Sequence, residues 1–141
     1  MIDFITSTAS GFSILCLGAA IGLAWAVAVT APNCSYDRLD HSRADGHVRQ
    51  LLVQASAPIA GLCLAGAAFS ALGGVFGAAI LSLVAAGGFF SNRWTLAPRK
   101  KGDAPPGVRR RRKSQRVVAV SLTLMFTAVA AVAGVLAVFG V

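Results

Sequence analysis

The chain has 141 residues, of which 56% are apolar and only 13% charged, with a net charge of +8 and a mean hydropathy of +0.72. A soluble domain is about 45–50% apolar and about 25% charged, and a fold this small has too little interior to hide the excess. The composition excludes a soluble globular domain. The charges are also segregated: none falls between Phe4 and Tyr36, between Gln50 and Asn92, or from Val117 to Val141.

A membrane crossing needs about 20 apolar residues. The first uncharged block predicts a span over 9–31. The leading MIDFITSTAS has no Lys or Arg, unlike the start of a removable signal peptide, so the segment reads as a retained helix. Gly18 and Gly22, preceded by Gly11, form a small-residue seam of the kind that lets helices approach closely in lipid. Trp25 lies near the far end, where amphipathic rings favour the headgroup layer.

The next segment, 32–49, reads as a loop and is the best site candidate. It holds both histidines, three of the five acids and Cys34. Cys34, Asp37, His41 and His47 are the candidate metal ligands, and Asp40 beside His41 is a candidate acid–base pair. Neither spacing matches a defined motif, and the alternating Asp and Arg are equally suited to neutralising one another in a solvated loop. Asp45-Gly46 reads as the cap and turn that start the second span.

The block from Gln50 to Asn92 would be roughly 65 Å long as a single helix at about 1.5 Å per residue, twice the bilayer core. It must fold back, and Ser70–Gly74 with its Gly pair is the turn. This predicts spans over 51–71 and 75–91. The second span aligns Gln54, Pro58, Gly61 and Ala65; Pro58 removes a backbone hydrogen bond, and a kink there would open a cavity lined by Gln54 and Ser56. The third aligns Ala78, Ser82 and Ala86. The last span, 117–139, aligns Thr123, Thr127, Ala130, Gly134 and Ala137. Gly18, Gly22, Gly61, Ala65, Ala130 and Gly134 are the expected helix-packing positions. Cys16 and Cys63 read as small packing residues, and the odd cysteine count offers no disulfide framework.

All thirteen Lys and Arg fall in 32–49 and 92–116. With four spans these two segments share one side, and cationic segments stay on the cytoplasmic side of bacterial membranes. The expectation is an all-α, polytopic membrane protein: a four-transmembrane-helix antiparallel bundle in the bacterial inner membrane with both termini outside. The run Arg109, Arg110, Arg111, Arg112, Lys113 and Arg116 anchors the last span and suits contact with anionic lipid headgroups or an acidic partner. A nucleic-acid interface would want interleaved aromatics or a recognition fold, and 92–116 contains only Trp94.

No Walker, GxSxG, HExxH or dinucleotide pattern is present, and no cofactor is implied. The spans carry no ionisable side chain apart from cysteine thiols, which argues against an ion-coupled transporter. The leading functional reading is a non-catalytic accessory or scaffold subunit that packs against partner membrane helices or further copies of itself. The alternatives are a passive channel or holin-like oligomeric pore, and a membrane-surface metal-binding or catalytic protein using 34–47.

Overall fold

The computed structural model describes residues 2–38, 41–96 and 108–140, with side chains described except at 2, 3, 38, 41, 42, 45, 94–96 and 108–116. The described chain is helical: α1 (Ile2–Trp25), a π-helical turn (Ala26–Thr30), α2 (Ala31–Arg38), α3 (His41–Leu72), α4 (Phe76–Leu96) and α5 (Val108–Phe139). Three helical stretches, Phe4–Asp37, Gly46–Leu72 and Val117–Phe139, are long and apolar enough to cross a membrane. α4 is not among them; its 21 residues include the polar Ser91-Asn92-Arg93 in the last two turns.

Each long helix packs antiparallel to its neighbours. α1 lies between α3 and α5, α4 lies between the same two helices on the other side, and α3 and α5 sit diagonally. Between α3 and α4 the reversal is a glycine cap. The Gly74 amide donates to the Ala71 carbonyl at 3.1 Å and the Val75 amide to the Ser70 carbonyl at 2.9 Å, the two bonds that close a Schellman motif. Gly74 has φ of 79°, which a side chain would strain. Val75 then buries against Ala78 and Ala137.

Small residues bring the helices together. The main core cluster joins Ala20 and Ala24 of α1, Ile59, Ala60 and Cys63 of α3, Ala85, Ala86 and Phe89 of α4, and Ala130 of α5. Two glycines act as sockets. A Cβ on Gly66 of α3 would stand 3.0 Å from Leu17 Cγ of α1, and a Cβ on Gly88 of α4 would clash with the Phe126 ring of α5.

The expected loop at 32–49 is instead two helices. α1 continues through the π turn, where the Ala31 amide reaches back five residues to the Ala26 carbonyl. The wider turn directly precedes Pro32, which has no N–H to donate and whose ring crowds the carbonyl four residues earlier. α3 likewise begins at His41 and runs straight through Asp45 and Gly46, so that pair is neither cap nor turn. A mid-helix glycine costs about 1 kcal/mol; the complete burial of Ala44 and near-complete burial of Val48 on the same helix offset it. The two residues expected to line a cavity at Pro58 are placed apart. Ser56 is buried and donates to its own Leu52 carbonyl at 2.6 Å, whereas Gln54, two positions away, is exposed on another side.

Candidate functional site at the charged end

The register of this end is set by one side chain. Asn92 of α4, 2% exposed, donates through Nδ2 to Thr123 Oγ1 at 2.8 Å and to the Ala119 carbonyl of α5 at 3.4 Å. Ala119 also packs with Val48 and Leu52 of α3, with Val27 of the π turn against them. α4, α5, α3 and the end of α1 are therefore level here. α4 stops four residues further on, at Leu96. The other three do not: α2, the first turns of α3 and the first turns of α5 continue past it. Val108–Arg116 of α5 alone adds about 13 Å at about 1.5 Å per residue. The bundle thus carries a three-helix projection, and among the described residues no helix stands in the fourth corner, above α4.

This projection holds most of the protein's charge. Residues 31–51 and 108–116 together contain nine of the thirteen Lys and Arg and three of the five acids. Arg109 to Arg116 lie in the opening turns of a helix continuous with the apolar stretch Val117–Phe139. The connector itself, 97–107, with Pro98, Pro105 and Pro106, lies outside the described residues. So does the side chain of Trp94.

The candidate metal ligands are spread over two helices. Cys34 and Asp37 are exposed on α2, and His47 is exposed on α3. The side chain of His41 lies outside the described residues, as do those of Asp45 and Asp40, including the Asp40–His41 pair. Among the described residues no three His, Cys, Asp or Glu side chains gather.

The packing positions divide by helix. Ala130 is buried in the core, and a Cβ built on Gly134 would stand 4.0 Å from Leu17 Cβ, at ordinary contact distance. Ser82 and Ala86 of α4 are buried too. The α1 seam is turned the other way: Gly11, Gly18 and Gly22 are exposed, with open space where a Cβ would be. Gly61 on α3 is equally open, and Ala65 only half-buried. Within one chain Gly18, Gly22 and Gly61 are thus not packing residues. The faces that pack are Ser13, Leu17, Ala20 and Ala24 on α1, and Ile59, Cys63, Gly66 and Ser70 on α3. They win because the Leu17 side chain fills the Gly66 socket and Ser13 Oγ meets Ser70 Oγ at 2.5 Å and the Gly66 carbonyl at 3.1 Å. A glycine–glycine face would offer neither contact.

The Ser13–Ser70 and Asn92–Thr123 bonds were not apparent from spacing. Their signal was polarity: all four are hydrogen-bonding residues within or at the edge of apolar stretches, where a partner is needed. Compared with known proteins, the chain matches no family model, no curated protein and no solved structure.

Proposed function

We propose that this chain is a four-span protein of a bacterial cytoplasmic membrane, α4 being the fourth crossing, with both termini outside. In this reading it acts as a non-catalytic accessory or scaffold subunit that packs against partner membrane helices. The main support is the pair of outward glycine faces. Gly11, Gly18 and Gly22 of α1 and Gly61 of α3 have open space above them in the isolated bundle. An outward glycine adds nothing to membrane insertion that Leu would not add better, but it lets another backbone come close. The interior supports a structural role as well: Ser56, Ser82 and Thr127 each direct their hydroxyl to a carbonyl four residues back in the same helix. The α4 helix is about 31 Å long at about 1.5 Å per residue, which fits a hydrocarbon core of about 30 Å.

The test has two parts. Reporter fusions at residue 104 and at the C-terminus are expected in opposite compartments; the same compartment for both would overturn the topology. Extraction in mild detergent is expected to bring down a second membrane protein or further copies of the chain. The paired substitution Gly18→Leu with Gly22→Leu should abolish that association while leaving the bundle folded. A wild-type chain that elutes alone as a monomer, or a paired variant that still associates, would overturn the scaffold reading.

A further inference from the structure

Two outward faces of the bundle, one on α1 and one on α3, carry polar side chains inside apolar stretches. Thr30, Gln50 and Gln54 are exposed and lie within Phe4–Asp37 and Gly46–Leu72. Ser56 and Thr127 direct their hydroxyls to carbonyls of their own helices. Among the described residues, no hydrogen bond is made by the side chains of Thr30, Gln50 or Gln54. A polar group that faces lipid gains from a partner on another helix.

The depths of the two faces match. Leu17 packs on Gly66, and Ser13 meets Ser70. The helices are antiparallel, so each step forward on α1 stays level with a step back on α3. Seven steps on from Leu17 and Gly66 stand Ala24 and Ile59, both in the main core cluster. Five steps on stand Gly22 and Gly61, both open to the outside. Thirteen steps on, Thr30 is level with Val53, between Gln50 and Gln54. Large and small residues also oppose one another: the exposed Leu72 is level with Gly11, and the exposed Leu15 with Ala68.

We propose that these two faces meet between two copies of this chain, α1 of each copy packing on α3 of the other. This names the partner in the scaffold reading and rests on it. Copies share one orientation in the bilayer, so the twofold axis runs along the membrane normal. Such an axis preserves depth, and residues level within one chain are level across the interface. Gly22 then reaches Gly61 of the second copy, where the two backbones come closest. Thr30 reaches the depth of the second copy's glutamines, donating its O–H to a side-chain carbonyl or accepting from the amide. The axis makes each contact twice. Complementarity selects the second copy as occupant: each face supplies what the other lacks, Leu72 for Gly11, Leu15 for Ala68 and an amide for a hydroxyl.

The test uses the full-length chain in membranes, with its three cysteines replaced by alanine. Copies carrying Ala26→Cys and copies carrying Ala57→Cys, level positions on the two faces, are tagged differently, co-expressed and oxidised. The expected product is a disulfide dimer bearing both tags, with none when either copy is expressed alone. A dimer from one kind alone would set α1 on α1, or α3 on α3, and would overturn the proposal. Absence of any disulfide dimer would overturn it too. In sedimentation equilibrium in mild detergent, Gln54→Leu and Thr30→Val should each weaken the wild-type dimer about tenfold, two interhelical bonds at a factor of about three each. Ser121→Ala, on the exposed side of α5, should leave it unchanged. A Gln54→Leu dimer as strong as the wild type would refute the pairing; should that variant not fold, Thr30→Val decides. A chain that brings down a different membrane protein and forms no dimer keeps the scaffold reading and loses this one, whereas a solitary monomer loses both.

Discussion

Gly87 and Gly88 are adjacent on α4 yet stand in opposite environments, so one methyl group at each gives a direct test of the helix packing. A Cβ at Gly87 meets nothing within 4 Å. Gly87→Ala should therefore gain the intrinsic helix preference of alanine, up to about 1 kcal/mol. A Cβ at Gly88 would clash with the Phe126 ring, closer than van der Waals contact allows. That ring also packs against Phe89, with centroids 6.1 Å apart at an interplanar angle of 57°. Relief requires moving α5 away from α4 or swinging Phe126 out of its place. Overpacking of this kind costs about 1–3 kcal/mol, and loss of the aromatic pair about 0.5–1.5 kcal/mol more. After the alanine helix preference is subtracted, Gly88→Ala should be destabilised by about 1–3 kcal/mol. The gap between the two variants is then about 2–4 kcal/mol, the sum of an expected gain and an expected loss. Reversible unfolding in a mixed-micelle SDS titration, followed by helical circular dichroism, reads this difference. Adding Phe126→Leu should recover most of the loss in Gly88→Ala, and the double-mutant coupling should exceed about 0.5 kcal/mol. Equal stabilities for Gly87→Ala and Gly88→Ala would refute the placement of α4 against α5.

Two further substitutions probe the polar and backbone features. Asn92→Leu removes the bonds to Thr123 and Ala119 and should cost about 1–2 kcal/mol in the same titration; Ser91→Ala, which loses only an exposed bond to its own Gly87 carbonyl, should be close to neutral. Equal effects would remove Asn92 from its role in aligning the two helices. Pro58→Ala restores a donor to the Gln54 carbonyl at an exposed position in an otherwise continuous helix, and should stabilise the chain by about 1–3 kcal/mol; a loss of stability would mean that the proline ring itself makes a needed contact.

Much of the architecture follows from the linear order of charge and hydrophobicity. Long uncharged stretches cannot stay in water, a lipid-exposed backbone must be helical, and the Gly73-Gly74 pair, near the middle of Gln50–Asn92, marks where two crossings of equal depth must be joined by a tight reversal. Those facts determine the all-helical class, the three apolar helices and the position of the α3–α4 turn. They also confine the Lys and Arg to two segments.

What the linear order did not contain is which side of each helix meets its neighbours. In a chain this rich in Ala and Gly, every helix presents several small-residue faces that look alike by spacing. Gly18 and Gly22 were as plausible as Ser13 and Leu17, and only the Gly66 socket and the Ser70 hydroxyl on α3 decided between them. The segment 32–49 posed the same problem in another form. Its polar residues and Gly46 favour a loop locally, but Ala44 and Val48 find buried places against neighbouring helices, and that tertiary burial holds α3 helical from His41. Helix existence is a local property of apolar sequence in lipid. Helix facing is a matter of complementary shape between residues about fifty positions apart, Leu17 with Gly66 and Ser13 with Ser70, and it exists only once the chain has folded back on itself.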